Sequence, residues 1–201
     1  MVEDIDYSFL GEKYPDSVMC RIADADIHPA TYAEFDCNFA DSLTYLCEHN
    51  EEGAMGIMIN RPSSQTLPEL MEQLGIKPTN HCLDVPVYEG GPVAIDHGYV
   101  IHSADMTLGE SAPVGNNLFM TTATDMLEAI AAGRGPASFL VALGYAGWGA
   151  GQLEAEISSN FWLSAPATEE LLFGTPPVQR IGAAARLLGL DFGLVARTGN
   201  A

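Results

Sequence analysis

Two histidines are the side chains of this sequence best placed to take part in acid–base chemistry. His49 and His102 each stand at the C-terminal end of a predicted strand, a position where open sheets commonly bind ligands. An imidazole there can act as an acid or a base near neutral pH. The alternative is that each ring only hydrogen-bonds the backbone of a neighbouring turn. Both interpretations stay open, so the two histidines are candidate ligand-binding residues and no catalytic residue is assigned.

Arg61 is a further candidate because it stands alone in a long acidic region. Its guanidinium could hold a carboxylate or a phosphate in a bidentate arrangement, whereas the alternative is an ion pair within the protein. Pro62 ends the predicted strand and fixes the direction in which the chain leaves it. Arg61 is therefore expected to be held in a defined orientation, with fewer states to lose on binding.

Another predicted strand ends at a pair of glycines, in the segment Glu89-Gly90-Gly91-Pro92. Paired glycines let another group approach the backbone closely. We expect this strand end to converge with that of Arg61, with His102 nearby, and to form a small polar pocket for a small anionic ligand. The candidate ligand-binding residues are Asn60, Arg61, Gly90, Gly91, His102 and His49. The predicted hairpin alone does not unite them, because His49 lies near its turn and Asn60 at its far end.

Other known catalytic and cofactor-binding motifs are absent from the sequence. The sequence has no G-x-S-x-G elbow, no phosphate-binding P-loop and no H-E-x-x-H. His97 and His102 could join Asp96 or Asp105 at a metal ion, but neither spacing matches a known set of ligands. No metal and no cofactor are therefore predicted, and a non-enzymatic protein is favoured over an enzyme.

The glycine run Gly144 to Gly151 separates a predicted strand over 139–145 from a predicted helix over 152–158. It lacks the G-x-G-x-x-G pattern and a nearby Lys or Arg, and acidic residues already fill the first turn of the helix. We interpret the run as a scaffold with Trp148 as a packed anchor. Gly147→Val or Gly149→Val should cost more than ~1 kcal/mol if either glycine adopts a conformation closed to β-branched residues.

The remaining elements alternate irregularly between strands and helices, which favours an α/β or α+β domain with a mixed sheet. Residues 42–47 and 54–60 are expected to pair as a hairpin, and Thr66 to cap the following helix. Strands are predicted over 19–23, 42–47, 54–60, 85–89, 98–102, 118–121, 139–145 and 161–164. Helices are predicted over 67–74, 126–132, 152–158, 168–173 and 176–188.

Composition narrows the classes of partner. The chain of 201 residues suits one domain and carries 27 acidic against 8 basic residues, a net charge of -19. No two basic residues are adjacent, so direct binding to nucleic acid or to an anionic membrane is not expected. The acidic N-terminus lacks the features of a signal peptide, and no apolar run could span a membrane. Four irregularly spaced cysteines without C-x-x-C favour a reduced, cytoplasmic protein.

Four segments carry a family resemblance. They are 36–62, 88–103, the residues Thr121, Thr122, Asp125 and Leu127, and the glycine run extended to Leu163. Together they resemble the YqgE/AlgH family of bacterial proteins over roughly residues 36 to 190. The resemblance implies a single YqgE/AlgH-like domain over 1–201 with a divergent segment at 1–35, and a bent or barrel-like sheet. The family name carries a link to transcriptional regulation of exopolysaccharide genes.

Two functions are compatible with these observations. The first is a non-enzymatic regulatory or interaction protein that affects transcription indirectly, through a protein or a small ligand rather than by binding DNA. The second is a small-molecule- or anion-binding protein, or an enzyme, that uses His49, His102, Asn60 and Arg61. A pocket that joins these residues would favour the second function, whereas scattered positions and an apolar patch would favour the first.

Overall fold

A mixed β-sheet built around one long strand forms the framework of the protein. The computed structural model describes residues 16–21, 39–78, 82, 84–115, 117–122 and 124–190. Within these residues the sheet has ten strands. They are β1 (Ser17–Arg21), β2 (Ser42–Asn50), β3 (Gly53–Met58), β4 (Pro62–Thr66), β5 (Pro86–Glu89), β6 (Val93–Ser103), β7 (Ala112–Pro113), β8 (Leu118–Thr121), β9 (Phe139–Gly149) and β10 (Leu163–Pro166).

Short helices connect and cover the strands. The α-helices of the described residues are α1 (Leu67–Gln73), α2 (Thr124–Ala131), α3 (Gln152–Ser158) and α4 (Arg180–Leu187). A π-helical turn covers Glu170–Gly174, and a 3-10 turn over Pro177–Gln179 leads directly into α4. Among the described residues, no helix combines the length and the apolar character needed to cross a membrane.

Strand β9 is the centre of the sheet. The strand order is β10-β1-β2-β3-β9-β6-β8-β7, and neighbours in this order are antiparallel. β5 lies parallel to β9, with Val87–Glu89 beside Val141–Leu143, and β4 pairs antiparallel with β5. Different parts of β9 therefore contact different strands along its length.

Both faces of the sheet bury apolar side chains. One face carries a large cluster around Tyr45, Ile101 and Leu140, which the C-terminal helical segment closes with Leu172 and Ala184. On the opposite face, α1 and α2 cover the first half of β9, where Val141 belongs to the same buried cluster as Met71 and Met126. The second half of β9 packs against α3 through Trp148, Leu153 and Ile157. The core is thus one layer on one face and two separate patches on the other.

The sheet curves into an antiparallel half-barrel with a few helices around it, which confirms the predicted single domain with a mixed, strongly curved sheet. The hairpin of β2 and β3 is confirmed, with Tyr45 opposite Ile57. The capping box is also present, since Thr66 and Glu69 exchange hydrogen bonds at the start of α1. These hydrogen bonds from the Thr66 backbone and side chain lower the pKa of Glu69.

Several elements differ from the sequence prediction; β7 was not predicted, and β6 begins at Val93 instead of Gly98. Pro62 begins β4 instead of only ending the preceding strand, because the first residue of a strand can lack an N–H donor. Strand β9 continues through the glycine run to Gly149. The helix predicted over 176–188 begins as a 3-10 turn and becomes α-helical only at Arg180. The predicted segment 1–35 lies outside the described residues except for 16–21.

Candidate functional site

The two candidate histidines lie at opposite ends of β9. His49 is opposite Ala54, which in turn pairs with Trp148 of β9, whereas His102 pairs with Phe139. Trp148 lies nine residue steps along the strand from Phe139, which corresponds to about 30 Å. His49 and His102 therefore do not share a site.

Each histidine already has a structural partner. The Nε2 atom of His49 lies 2.7 Å from Oε1 of Glu154 in α3. His102 is fully buried, its Nδ1 bonds the Ser103 carbonyl at 2.9 Å, and its ring stacks on Phe119. The Nε2 atom of His102 has no hydrogen-bond partner among the described residues. No exposed face remains on His102 for a ligand to contact.

Asn60 holds the start of β2 in place. Its Oδ1 accepts from the Leu43 N–H at 2.8 Å, and its Nδ2 donates to the Asp41 carbonyl at 2.9 Å. The adjacent Arg61 donates from Nη2 to the Ala40 carbonyl. Both side chains thus bind backbone of residues 40–43, which accounts for the polar pair at the end of β3.

The strand ends of Arg61 and Gly91 do converge. The Glu89 N–H donates to the Arg61 carbonyl at 2.9 Å, and Arg61 and Gly91 line one cleft of about 320 Å³. Tyr88 and Glu89 also line this cleft, but His102 does not. Gly90 lies within the sheet, since its N–H donates to Leu143 and its carbonyl accepts from Met58. The two strand ends therefore share a cleft that lacks a histidine, and ligand binding there stays a prediction.

We call the cleft lined by Arg61 and Gly91 the Arg61 cleft; a buried arginine supports its wall. Arg180 is only 3% exposed, and its guanidinium lies 5.1 Å from the centre of the Tyr88 ring. Its Nε donates to the Thr175 carbonyl, and Nη1 donates to the Ile59 carbonyl. Burial lowers the pKa of Arg180, and the neighbouring Tyr88 partly opposes this shift. Arg180 ties α4 to β3 and β5 and fixes the Tyr88 ring.

The glycine run contains two kinds of glycine. Gly144 has a φ of 73°, and a Cβ there would lie 2.4 Å from the Gly91 carbonyl oxygen. Gly147 and Gly149 have ordinary strand conformations, and a Cβ would meet only the Tyr145 ring or the end of Gln152 among the described atoms. Neither glycine adopts a conformation closed to β-branched residues, so the loss of more than ~1 kcal/mol predicted on that condition for Gly147→Val or Gly149→Val is not expected.

Glu156 holds both tryptophans of the chain. Its Oε2 accepts from Nε1 of Trp148 at 3.0 Å and from Nε1 of Trp162 at 2.7 Å. Its Oε1 accepts from Gln152, whose own oxygen accepts from the Gly149 N–H. Buried indole N–H groups need such partners. This confirms Trp148 as a packed anchor. Glu156 therefore has a structural role in addition to the interaction with the dipole of α3 that the sequence predicted.

A second concave surface lies where β6 and the second half of β9 separate. We call it the acidic groove; it has a volume of about 490 Å³. Its apolar floor is formed by Met55, Tyr99, Met120 and Tyr145, each of which is only partly buried. The rings of Tyr99 and Tyr145 meet edge to face at 5.9 Å. Burial raises the pKa of Tyr99, so its hydroxyl stays protonated at neutral pH.

The rim of the acidic groove carries negative charge. Glu48 and Glu52 extend from the β2–β3 hairpin, with Asn50 between them, and no Lys, Arg or His is among the described residues that line the groove. The sequence prediction missed this surface because its floor comes from four strands that are distant in the chain. Only the glutamates and the glycine run gave a local signal, and neither indicated a shared surface.

The described residues contain no group of three His, Cys, Asp or Glu side chains that could hold a metal ion. Cys20, Cys47 and Cys82 are free and buried, whereas Cys37 lies outside the described residues. Burial raises the pKa of Cys20 to about 12, with a further contribution from Asp41. A thiol with so high a pKa is a poor nucleophile at neutral pH.

The curved mixed sheet and the glycine run define the class of protein. The sequence pattern of AlgH-like proteins matches residues 30–193, and the chain belongs to this family. The particular relatives are bacterial. A UPF0301 protein of Thioalkalivibrio sulfidiphilus is 50% identical over 161 residues, which cover 80% of this chain and 87% of that protein. The UPF0301 protein AlgH of Pseudomonas aeruginosa is 49% identical over 169 residues, covering 83% and 89%.

Solved structures agree with this assignment. The solution structure of AlgH from Pseudomonas aeruginosa matches with a TM-score of 0.73 and 42% identity, over 100% of this chain and 98% of that one. A crystal structure of a Corynebacterium diphtheriae protein matches with a TM-score of 0.65 at 20% identity, over 92% and 94% of the two chains. The second match shows the shared fold alone.

Proposed function

We propose that this protein is a non-enzymatic interaction protein that binds a basic segment of a partner protein in the acidic groove. The proposal rests on one observation: Glu48 and Glu52 lie on the rim of a groove whose partly exposed floor is formed by two tyrosines and two methionines. Partly exposed aromatic and methionine side chains are enriched at protein interfaces. The net charge of -19 attracts a basic partner over a distance.

Each part of the groove has a distinct task in this proposal. Glu48 and Glu52 pair with Lys or Arg side chains of the partner. Tyr99 and Tyr145 present ring faces that attract the same cations, and the flexible Met55 and Met120 adapt to the apolar residues between them. An effect on transcription would then pass through the bound partner. We place this interaction in the cytoplasm, where buried free thiols such as Cys20 and Cys47 stay reduced.

Peptides of controlled composition test the proposal. Fluorescence anisotropy would compare labelled octapeptides of alternating Arg and Leu, Arg and Ser, and Glu and Leu. We expect the Arg–Leu peptide to bind best, because it alone offers both positive charge and apolar contacts. The Arg–Ser peptide controls for attraction to net charge alone. Equal binding of the Arg–Leu and Arg–Ser peptides, or no binding of either, would overturn the proposal.

A pair of matched variants locates the binding surface. The double variant Glu48→Gln/Glu52→Gln removes the two rim charges and should weaken the Arg–Leu peptide by about tenfold at low salt. The control Glu110→Gln/Glu128→Gln removes two exposed charges outside the groove and alters the net charge equally. An equal loss in both double variants would show that the peptide does not use the groove.

Direct DNA binding is expected to be absent or very weak at physiological salt. Affinity for DNA depends on neutralising phosphates with Lys and Arg, and the chain has only 8 such residues against 27 acidic ones. An anisotropy titration with a labelled duplex should show no saturation at micromolar protein. Sequence-selective binding below one micromolar would contradict this expectation and the indirect mode of regulation.

A second candidate function is binding of a small anionic ligand in the Arg61 cleft. It is favoured by the convergence of Arg61 and Gly91 on one concavity. The Glu89 carboxylate in the same cleft opposes an anion, so this function ranks second. A thermal-shift experiment with inorganic phosphate and with succinate tests it, since a ligand of the native state raises the melting temperature. Arg61→Gln should abolish any shift, and Arg134→Gln, an exposed control outside the cleft, should preserve it.

A further inference from the structure

One edge of the second half of β9 carries no neighbouring strand within the described residues. β3 pairs with Ala146–Gly149 on one side, while β6 pairs with β9 only as far as Tyr145. Val93 pairs with Tyr145 and Gly98 pairs with Leu143, so five residue steps in β6 correspond to only two in β9. The extra residues of β6 depart from the regular pairing. An uncovered edge of this kind presents backbone donors and acceptors to a further strand.

This edge lacks the features that usually prevent pairing with another chain. Protected edges carry lysine, proline or a bulge, whereas the four residues Ala146, Gly147, Trp148 and Gly149 include none of the first two and pair regularly with β3. The edge is also held in place, because Glu156 fixes the Trp148 indole. Gln152 already binds the Gly149 N–H, so a further strand pairs with the remaining backbone groups of this edge.

The two glycines of this edge are not required by the fold of the described residues. Neither has a positive φ, and a Cβ at either one would meet no described backbone atom within 4 Å. Gly147 lines the acidic groove beside Tyr145. A glycine within a strand often marks a place where another backbone or a ligand comes close, and it leaves room for the side chain of a residue on the adjacent strand.

We propose that the partner segment binds in an extended conformation, as an additional strand along the edge of β9 opposite β3. This inference rests on the proposed function and specifies the binding mode. The four edge residues span about 13 Å and accommodate a segment of similar length. Side chains at every second position of that segment face the apolar floor of the acidic groove, and the Lys or Arg residues between them extend to Glu48 and Glu52 at its rim.

Charge argues for a foreign segment over a second copy of this chain. Two copies would bring net charges of -19 together, and the described groove offers no basic side chain to pair with the carboxylates of another copy. Size-exclusion chromatography with light scattering checks this point. A dimer that dissociates on addition of the Arg–Leu peptide would show that a second copy occupies the edge, and would overturn the proposal.

N-methylated peptides test the binding mode directly. In an added strand only every second backbone N–H donates to the neighbouring strand. Two versions of the Arg–Leu octapeptide would therefore be compared, one methylated at the even-numbered amides and one at the odd-numbered amides. We expect one version to bind at least tenfold more weakly than the unmethylated peptide, and the other to stay within about threefold.

The outcomes separate the binding mode from the function. If the unmethylated peptide binds and both methylated versions bind equally well, the added strand is wrong while the interaction function stands. A large loss in both versions also contradicts an alternating ladder. If the unmethylated peptide fails to bind, the interaction function itself fails.

A variant of the protein gives a second, independent test. Gly147→Val places a branched side chain in the groove and should weaken the unmethylated peptide by at least tenfold, with Gly147→Ala intermediate. Circular dichroism and the melting temperature verify that the variants are folded. Gly182→Val, in α4 and outside the groove, is a control that should leave binding unchanged. Binding of the Gly147→Val variant at the original affinity would contradict the proposal.

Discussion

The two halves of β9 have different surroundings on either side of Gly144. In the first half, Val141–Leu143 has β5 on one edge and β6 on the other, and α1 and α2 cover one of its faces. In the second half, Ala146–Gly149 pairs with β3 alone among the described strands and packs against α3. Within the described residues, one continuous strand is therefore paired on both edges at one end and on one edge only, beside the acidic groove, at the other.

Glycine serves a different purpose in each half. At Gly90 and Gly144 the backbones of β5, β6 and β9 pass so closely that a Cβ would lie 2.2 and 2.4 Å from a carbonyl oxygen. At Gly147 and Gly149 the described neighbours leave room for a side chain. The same residue type in the same strand thus supports close packing in the first half and an open surface in the second.

Gly144→Ala should have the largest effect on stability. The residue has a φ of 73°, and the added Cβ would meet the Gly91 carbonyl, so strain and a backbone clash combine. We expect a loss of at least about 3 kcal/mol in the free energy of unfolding. Gly151→Ala is the matched control, since its φ of 71° is similar but a Cβ there meets nothing within 4 Å. Urea denaturation should show a loss near 1 kcal/mol for the control; equal losses would contradict the clash.

Glu156→Ala should cause the second-largest loss of stability, because it releases the second half of β9 from α3. Two buried indole N–H groups would lose a charged acceptor, at a cost of about 2–4 kcal/mol. The control is Glu154→Ala on the same helix, which removes only the partly exposed contact to His49 and should cost less than about 1 kcal/mol. Chemical denaturation followed by tryptophan fluorescence measures both. A smaller loss at Glu156 than at Glu154 would show that the tryptophans do not depend on this carboxylate.

Gly147→Ala should barely change stability. The added methyl would lie 3.2 Å from the Tyr145 ring, which has to move by only a few tenths of an ångström. We expect the free energy of unfolding to change by less than about 0.5 kcal/mol. A loss as large as that of Gly144→Ala would show that Gly147 is packed as closely as Gly144.

The smallest effect concerns the pH dependence of the contact between the hairpin and α3. Burial by itself raises the pKa of Glu154, but hydrogen bonds from its own backbone N–H and from His49 lower it, and the net direction is downward. A carboxyl whose folded-state pKa is lowered adds stability above its ordinary value of 4.5, and this is lost as the pH falls through the folded-state pKa. The deficit of Glu154→Gln relative to wild type should be below about 0.5 kcal/mol at pH 7. In urea titrations it should vanish in acid; a deficit that grows in acid would contradict the direction of the shift.

Local patterns predicted much of the fold. The hairpin of 42–47 with 54–60 followed from apolar runs around a short turn, and the capping box at Thr66 from side-chain chemistry within one helical turn. β4 was missed because Pro62 was interpreted only as a strand end. The extension of β9 was missed because glycines have a low intrinsic preference for strands, and pairing with β3 outweighs that preference.

At the Arg61 cleft, the sequence predicted the convergence of two strand ends but not all of the residues beside them. Arg61 and Gly91 were expected to converge, and they do line one cleft. His102 was expected beside them, but the strand register places it opposite Phe139, with its side chain buried. A strand end is visible in sequence, whereas the face on which its last residues lie depends on the register, and a shift of one residue reverses it.

The sequence by itself determined the family, the acidic character and the position of most strands and helices, because these depend on composition and on short-range patterns. Only the tertiary structure decided which residues form a surface together. Tyr99, Met120 and Tyr145 belong to three strands and meet in the acidic groove because pairing across β6, β8 and β9 aligns them. Likewise, Glu156 binds Trp148 and Trp162 only once α3 has packed on the sheet, since such contacts form between elements that the chain brings together by burying their apolar faces.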